Sequence, residues 1–214
     1  MNRFIDILII SAIIIGSYFY LATDQLFIKA LCSMGFVLLG AKSFFSSKDE
    51  SNFNFRLSML VGLIFAMLGD ILLGVNFIVG ASFFAIGHIF YLLAYSFITS
   101  FSFRDFAMSS ILSAVSISFI IFCPAFDFKV GAIKFVCIAY ALVISTMLSK
   151  AAMNFFHAKS KLNTIIFVGS VLFFFSDLML SLNKFAGMGN LTSILCIATY
   201  YPAQCFLAES IFIK

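Results

Sequence analysis

The sequence predicts an all-α integral membrane protein with eight transmembrane helices. Of its 214 residues, 63% are hydrophobic and only 10% are charged, whereas a soluble domain carries roughly 25% charged residues. Mean hydropathy is +1.15. The apolar residues fall into runs of about 20, the length a helix rising 1.5 Å per residue needs to cross a bilayer. Roughly eight such runs use about 160 residues and leave only short loops. The alternation of outer-membrane barrel strands is absent, so the spans are read as helices. The chain is therefore expected to form one transmembrane helical domain, residues 1–214, with the lipid bilayer as its partner and no nucleic acid. A soluble globular protein, a secreted disulfide scaffold and a disordered chain are excluded on the same grounds.

The apolar runs place the spans at 4–21, 26–41, 57–74, 77–98, 106–123, 130–150, 163–182 and 190–211. The first follows Arg3 as a signal peptide would, but Asp6 interrupts it and no A-x-A-like small-residue site follows, so it is kept as a span. Thr23-Asp24-Gln25 separates the first span from the second, and the polar stretch Ser46 to Asn54 separates the second from the third. Gly74-Val75-Asn76 is a tight break before the fourth, and Ser100 to Asp105 lies before the fifth. Pro124 to Lys129, Asn154 to Asn163 and Lys184 to Asn190 bound the last three.

With eight spans both termini lie on one side. That side collects Arg3, Lys42, Lys48, Arg56, Arg104, Lys150, Lys159, Lys161 and Lys214, nine in all, against four on the other: Lys29, Lys129, Lys134 and Lys184. The positive-inside rule places both termini in the cytoplasm, and a bacterial inner membrane suits the net charge of +4. There are 31 Phe and no Trp, so an interfacial aromatic belt relies on Tyr and Phe. Cys32, Cys123, Cys137, Cys196 and Cys205 lie in apolar stretches without a CxxC and read as small packing residues.

Two segments resemble each other: GLIFAMLGDILLGVNF (62–77) and GSVLFFFSDLMLSLNKF (169–185). At an offset of 107, Gly62 matches Gly169, Asp70 matches Asp177, Leu73 matches Leu180 and Asn76 matches Asn183. A four-plus-four parallel repeat, with halves 1–107 and 108–214, would set the two Asp-bearing helices facing each other across a pseudo-twofold axis.

Asp70 and Asp177 are the residues most expensive to place in the membrane. Each lies about 14 or 15 residues into its span, roughly 20 Å along the axis and in the half away from the termini. A charged side chain at the bilayer centre costs about 2.5–3.5 kcal/mol or more, so such groups face the bundle interior and usually serve a function. The bland alternative is a pair of carboxylates that hydrogen-bond neighbouring helix ends. His88, Tyr91 and Tyr95 are spaced i, i+3, i+7 and share one face, either as site residues or as packing groups. Ser193, Tyr200 and Gln204 line one face of the last span. Lys29 and Lys134 lie near the two acids in depth, where either could pair with a carboxylate, bind an anionic phosphate or snorkel to the surface. Glu209, near Lys214, reads as interfacial.

Zinc would have only His88, Asp70 and Asp177 as ligands, with no HExxH, so no metal is expected. No GxSxG is present for serine nucleophile chemistry. A carboxyl group in a low-dielectric site holds its proton nearer to neutrality, and a second carboxylate nearby pushes the two titrations apart. One acid then donates a proton while the other orients water or steadies positive charge, the logic of cleavage through an oxocarbenium-like state. The same pair would equally serve a proton-coupled transporter. A third reading is a structural or partner-binding membrane protein.

The segments LGDILL (68–73), FFAIGHIFYLLAY (83–95), YALVISTML (140–148), FFFSDLMLSLNKF (173–185) and ATYYPAQCFLAES (198–210) resemble the YhhN-like family, which includes the lysoplasmalogenases of the animal endoplasmic reticulum. The family's lysine-proline motif in the second helix is reduced here to Lys29-Ala30. The resemblance implies hydrolysis of the vinyl ether of a lysoplasmalogen, a lysophospholipid, to a fatty aldehyde and glycerophosphoethanolamine or glycerophosphocholine. A vinyl ether hydrolyses by protonation at carbon, addition of water to the oxocarbenium ion and collapse of the hemiacetal, with no cofactor, metal or nucleophilic serine required. On this reading one of Asp70 and Asp177 is the general acid and the other positions water. His88, Tyr91, Asn183, Tyr200 and Gln204 would hydrogen-bond water, carboxylates or the glycerol hydroxyl, and Lys29 would hold the phosphate.

Overall fold

The computed structural model describes residues 3–46, 52–128 and 131–213. Eight helices follow in order: α1 (Arg3–Thr23), α2 (Leu26–Ser46), α3 (Phe53–Leu73), α4 (Phe77–Ile98), α5 (Phe103–Phe122), α6 (Gly131–His157), α7 (Lys161–Ala186) and α8 (Gly189–Ser210). Each is long and apolar enough to cross a membrane, and the described residues contain no strand. The chain is an integral membrane protein. Short connections return each helix antiparallel to the one before it. Lys48, Lys129 and Lys214, three of the charges counted for orientation, lie outside the described residues.

Several helices outrun the apolar runs that announce them. α2 continues to Ser46, α3 starts at Phe53, and α6 continues to His157. Charged residues at the margins of these runs have found partners inside the bundle. Lys42 pairs with Asp6 of α1, and the Arg56 guanidinium donates to the Phe44 carbonyl and lies 4.9 Å from the Phe44 ring centroid. Lys150, 1% exposed, donates to Thr99 Oγ1 and the Ser100 carbonyl, each at 3.0 Å, and pairs with Asp105 at 3.2 Å. A partnered charge no longer has to leave the helix for water.

α8 is the most buried helix and packs against α7, α2, α1 and α3. α3 and α4 pack most tightly, through glycines. A Cβ on Gly80 would meet the Leu73 backbone at 2.5 Å, and one on Gly62 would meet the Tyr91 ring at the same distance. α5 touches only α6 among the described helices. Gly187, with φ +61°, takes the left-handed conformation that ends α7.

The structure does not confirm the expected repeat, although some helix contacts run in parallel. The contacts α1–α2, α2–α3, α3–α4 and α2–α8 have counterparts in α5–α6, α6–α7, α7–α8 and α4–α6. α1 and α5 each carry an aspartate in the first turn, Asp6 or Asp105, paired with a late lysine of the following helix, Lys42 or Lys150, although the two aspartates are 99 residues apart and not the 107 of the expected repeat. The parallels stop there. α1 and α3 touch α8, while α5 and α7 do not approach α4 in the same way. α3 and α7 are not neighbours either; Tyr200 of α8 reaches from the Ala66 carbonyl of α3 to the Phe173 ring of α7.

Candidate active site

A cavity of about 280 Å³ lies between α4, α5, α6 and α7. Because α5 leans on α6 alone, it walls the cavity on one side without closing against α4 or α7. The lining is apolar over most of its area, with Phe84, Val115, Phe119, Ile144 and Phe174 prominent. Asp177 is the one carboxylate among the lining residues, and Tyr140 lies beside it.

The Tyr140 hydroxyl donates to Asp177 Oδ2 at 2.5 Å, and His88 Nε2 lies 2.7 Å from the same hydroxyl oxygen. With Asp177 ionised, His88 Nε2–H donates to Tyr140 and Tyr140 donates to the carboxylate. With Asp177 protonated, both bonds reverse and Nε2 becomes the acceptor. His88 is 1% exposed, and Phe173 packs against its ring edge-to-face at 4.6 Å. Its Nδ1 has no hydrogen-bond partner among the described residues. Three helices, α4, α6 and α7, thus fix one carboxyl group at the cavity wall through a single tyrosine.

Asp70 belongs to a separate cluster. Lys29 Nζ lies 2.8 Å from Asp70 Oδ1 and donates to the Asp70 carbonyl at 2.9 Å. That carbonyl is one of the last four of α3, which have no full set of intrahelical partners. Beyond it the helix tightens, with Gly74 N–H bonded to the Ile71 carbonyl at 3.2 Å. Asp70 Oδ2 accepts from Ser33 at 2.5 Å and from Tyr201 at 3.2 Å. Both carboxylate oxygens are satisfied, and neither Asp70 nor Lys29 lines the cavity.

The other expected site residues are distributed through the core. Tyr91 donates to Gln204 Oε1 at 3.0 Å, tying α4 to α8, and Gln204 Nε2 has no partner among the described residues. Tyr200 is enclosed by Phe36, Phe84 and Phe173. Asn183 donates to the Gly189 carbonyl at 3.0 Å and to Thr192 at 3.3 Å, bracing the turn between α7 and α8. Of the expected residues, then, the structure joins His88 to Asp177 and Lys29 to Asp70, and leaves Tyr91, Asn183, Tyr200 and Gln204 off the cavity wall. Among the described residues no three His, Cys, Asp or Glu side chains are grouped as metal ligands.

Tyr140, Ser33 and Tyr201 escape the sequence reading. Tyr140 heads the segment YALVISTML and stands nine residues inside α6, away from the interface where membrane tyrosines concentrate. That position is the signal that would have found it. Ser33 lies one turn from Lys29 on the same face of α2.

The YhhN family model matches residues 24–211, most of the chain. The chain belongs to the YhhN family. No curated protein and no solved structure matches it.

Proposed function

We propose that this YhhN family protein is an intramembrane ether hydrolase that cleaves the vinyl ether bond of a lysoplasmalogen, with Asp177 as the general acid. The observation that carries this reading is the position of Asp177: a carboxyl group on the wall of an apolar cavity within the membrane, held by Tyr140 with His88 behind it. The cavity suits an alkenyl chain, and its side toward α5 gives a lipid a lateral way in from the bilayer.

The chemistry needs one acid that becomes a base. Asp177, carrying a proton, gives it to the β-carbon of the vinyl ether, leaving an oxocarbenium ion. The carboxylate so formed stabilises the cation and accepts a proton as water adds to the carbon bearing oxygen. The hemiacetal then collapses: its hydroxyl loses a proton, the carbon–oxygen bond to glycerol breaks, and the glycerol oxygen is protonated. One water is consumed, and a fatty aldehyde and a glycerophospho-base leave. Tyr140 and His88 adjust their shared hydrogen bonds as Asp177 cycles between its two forms. Asp70, bound to Lys29, Ser33 and Tyr201, holds the helix ends beside this site. The excess of Lys and Arg on the terminal side supports a topology with both termini in the cytoplasm of an inner membrane.

The test is to incubate detergent-purified protein with a lysoplasmalogen and follow aldehyde release, with Asp177→Asn beside the wild type. Turnover by the wild type and a loss of roughly 10²-fold or more in a folded variant are expected. An intact protein that releases no aldehyde, or an Asn variant that turns over normally, overturns the reading.

A further inference from the structure

Lys29 is the cation nearest in depth to Asp70, but it is spent on that residue. A phosphorylated lipid in the cavity would need another. The Tyr140–Asp177 hydrogen bond fixes the antiparallel register of α6 against α7. Counting outward from it, Lys134 on α6 comes level with residues 183–184 on α7. Lys134 lies on the stripe of α6 that includes the cavity residues Cys137, Ala141 and Ile144, at spacings of 3, 7 and 10. Lys184 lies on the stripe of α7 that includes Asp177, Leu180 and Ser181, at spacings of 7, 4 and 3. Both lysines therefore stand on cavity-facing stripes, about 9–11 Å outward of the Tyr140–Asp177 level.

The connection between α5 and α6 brings a third charge to the same rim. Phe126 lines the cavity, and the Asp127 N–H donates to the Phe185 carbonyl at 2.8 Å, next to Lys184. Lys134 is half-buried, and Lys184 and Asp127 are exposed. Among the described residues, none of the three has an ion-pair partner.

We propose that Lys134 and Lys184 form a phosphate-binding rim at the mouth of the cavity, recognising the head group of a lysophospholipid whose chain lies below. The inference rests on the lipid hydrolase reading of the same cavity. The glycerol backbone that separates the ether oxygen from the phosphate, together with the reach of a lysine side chain, spans the rise between Asp177 and the rim. Two cations and one anion complement a zwitterionic head group, with Asp127 beside the ammonium. A phosphate bound here also sets the depth at which the vinyl ether meets Asp177.

The test reads binding, so it does not depend on turnover. Detergent-purified protein is titrated with two saturated lipids that cannot be hydrolysed, a 1-alkylglycerophosphoethanolamine and the 1-alkylglycerol that lacks the phosphate, and thermal stabilisation is followed. The wild type is expected to prefer the phosphorylated lipid by about tenfold or more, as charge-assisted contacts allow. Lys134→Gln with Lys184→Gln should erase the preference while leaving alkylglycerol binding unchanged, and Lys134→Arg with Lys184→Arg should keep it. Equal affinity of the wild type for the two lipids overturns the proposal, as does a preference that survives the double Gln change. Failure of the hydrolase reading would appear separately, as absence of aldehyde in the turnover assay.

Discussion

Lys29 holds Asp70 twice: its ammonium lies 2.8 Å from the side-chain oxygen and 2.9 Å from the backbone carbonyl of the same residue. One cation thereby neutralises a buried acid and caps the helix that carries it. Among the described residues Asp177 has no lysine or arginine partner; His88 Nε2 lies 3.7 Å from its Oδ2, and the carboxyl group meets the cavity instead. Two residues that match in sequence thus occupy different chemical environments.

Asp70→Asn should therefore cost stability before it costs chemistry. It leaves Lys29 buried without its counter-charge, and breaking such a pair costs about 3–5 kcal/mol. Thermal unfolding in detergent should report the loss. Lys29→Met with Asp70→Leu, which buries no charge, should recover much of it. If Asp70→Asn unfolds like the wild type, the ion pair does not support the fold.

Tyr140→Phe keeps the ring and removes the hydroxyl that joins His88 to Asp177. Turnover should fall about tenfold or more while the helix content and elution volume stay unchanged. A variant with the wild-type rate would remove Tyr140 from the mechanism.

Ala141→Phe projects a ring into the apolar cavity. Its expected signature is a raised KM or lost turnover for long-chain substrates, with thermal stability close to that of the wild type. Unchanged kinetics would mean that the chain binds elsewhere.

Asp105→Asn should loosen α5. Lys150 would remain in the core with only Thr99 and the Ser100 carbonyl as hydrogen-bond acceptors, and α5 has no helix other than α6 to lean on. A stability loss of about 3–5 kcal/mol is expected. Hydrogen exchange should rise first in residues 103–122, ahead of the rest of the bundle.

Gly80→Ala sets a methyl group against the Leu73 backbone, which cannot rotate away. The α3–α4 contact must open, at a cost of about 1–3 kcal/mol. Because Asp70 and His88 lie on these two helices, activity should decline along with the melting temperature.

The eight spans were legible because length and hydropathy alone govern whether a helix can cross a bilayer. The family was also legible, in short motifs spread along most of the chain, and so was the unusual cost of Asp70 and Asp177. The continuation of helices through Lys42, Arg56 and Lys150 was not, because a charge in a sequence gives no sign of whether it will find a partner from another helix. The site divided for the same reason. Spacing of i, i+3 and i+7 fixes which residues share a helix face, but which helix that face meets is a matter of packing between segments far apart in the chain. Only the tertiary structure set Lys29 against Asp70, placed Tyr140 of α6 between His88 of α4 and Asp177 of α7, and kept α5 far enough from α4 to leave a cavity. The sequence determined what the bilayer demands of each helix separately; the relations among helices, and with them the environment of each buried charge, arise from close packing that no single segment encodes.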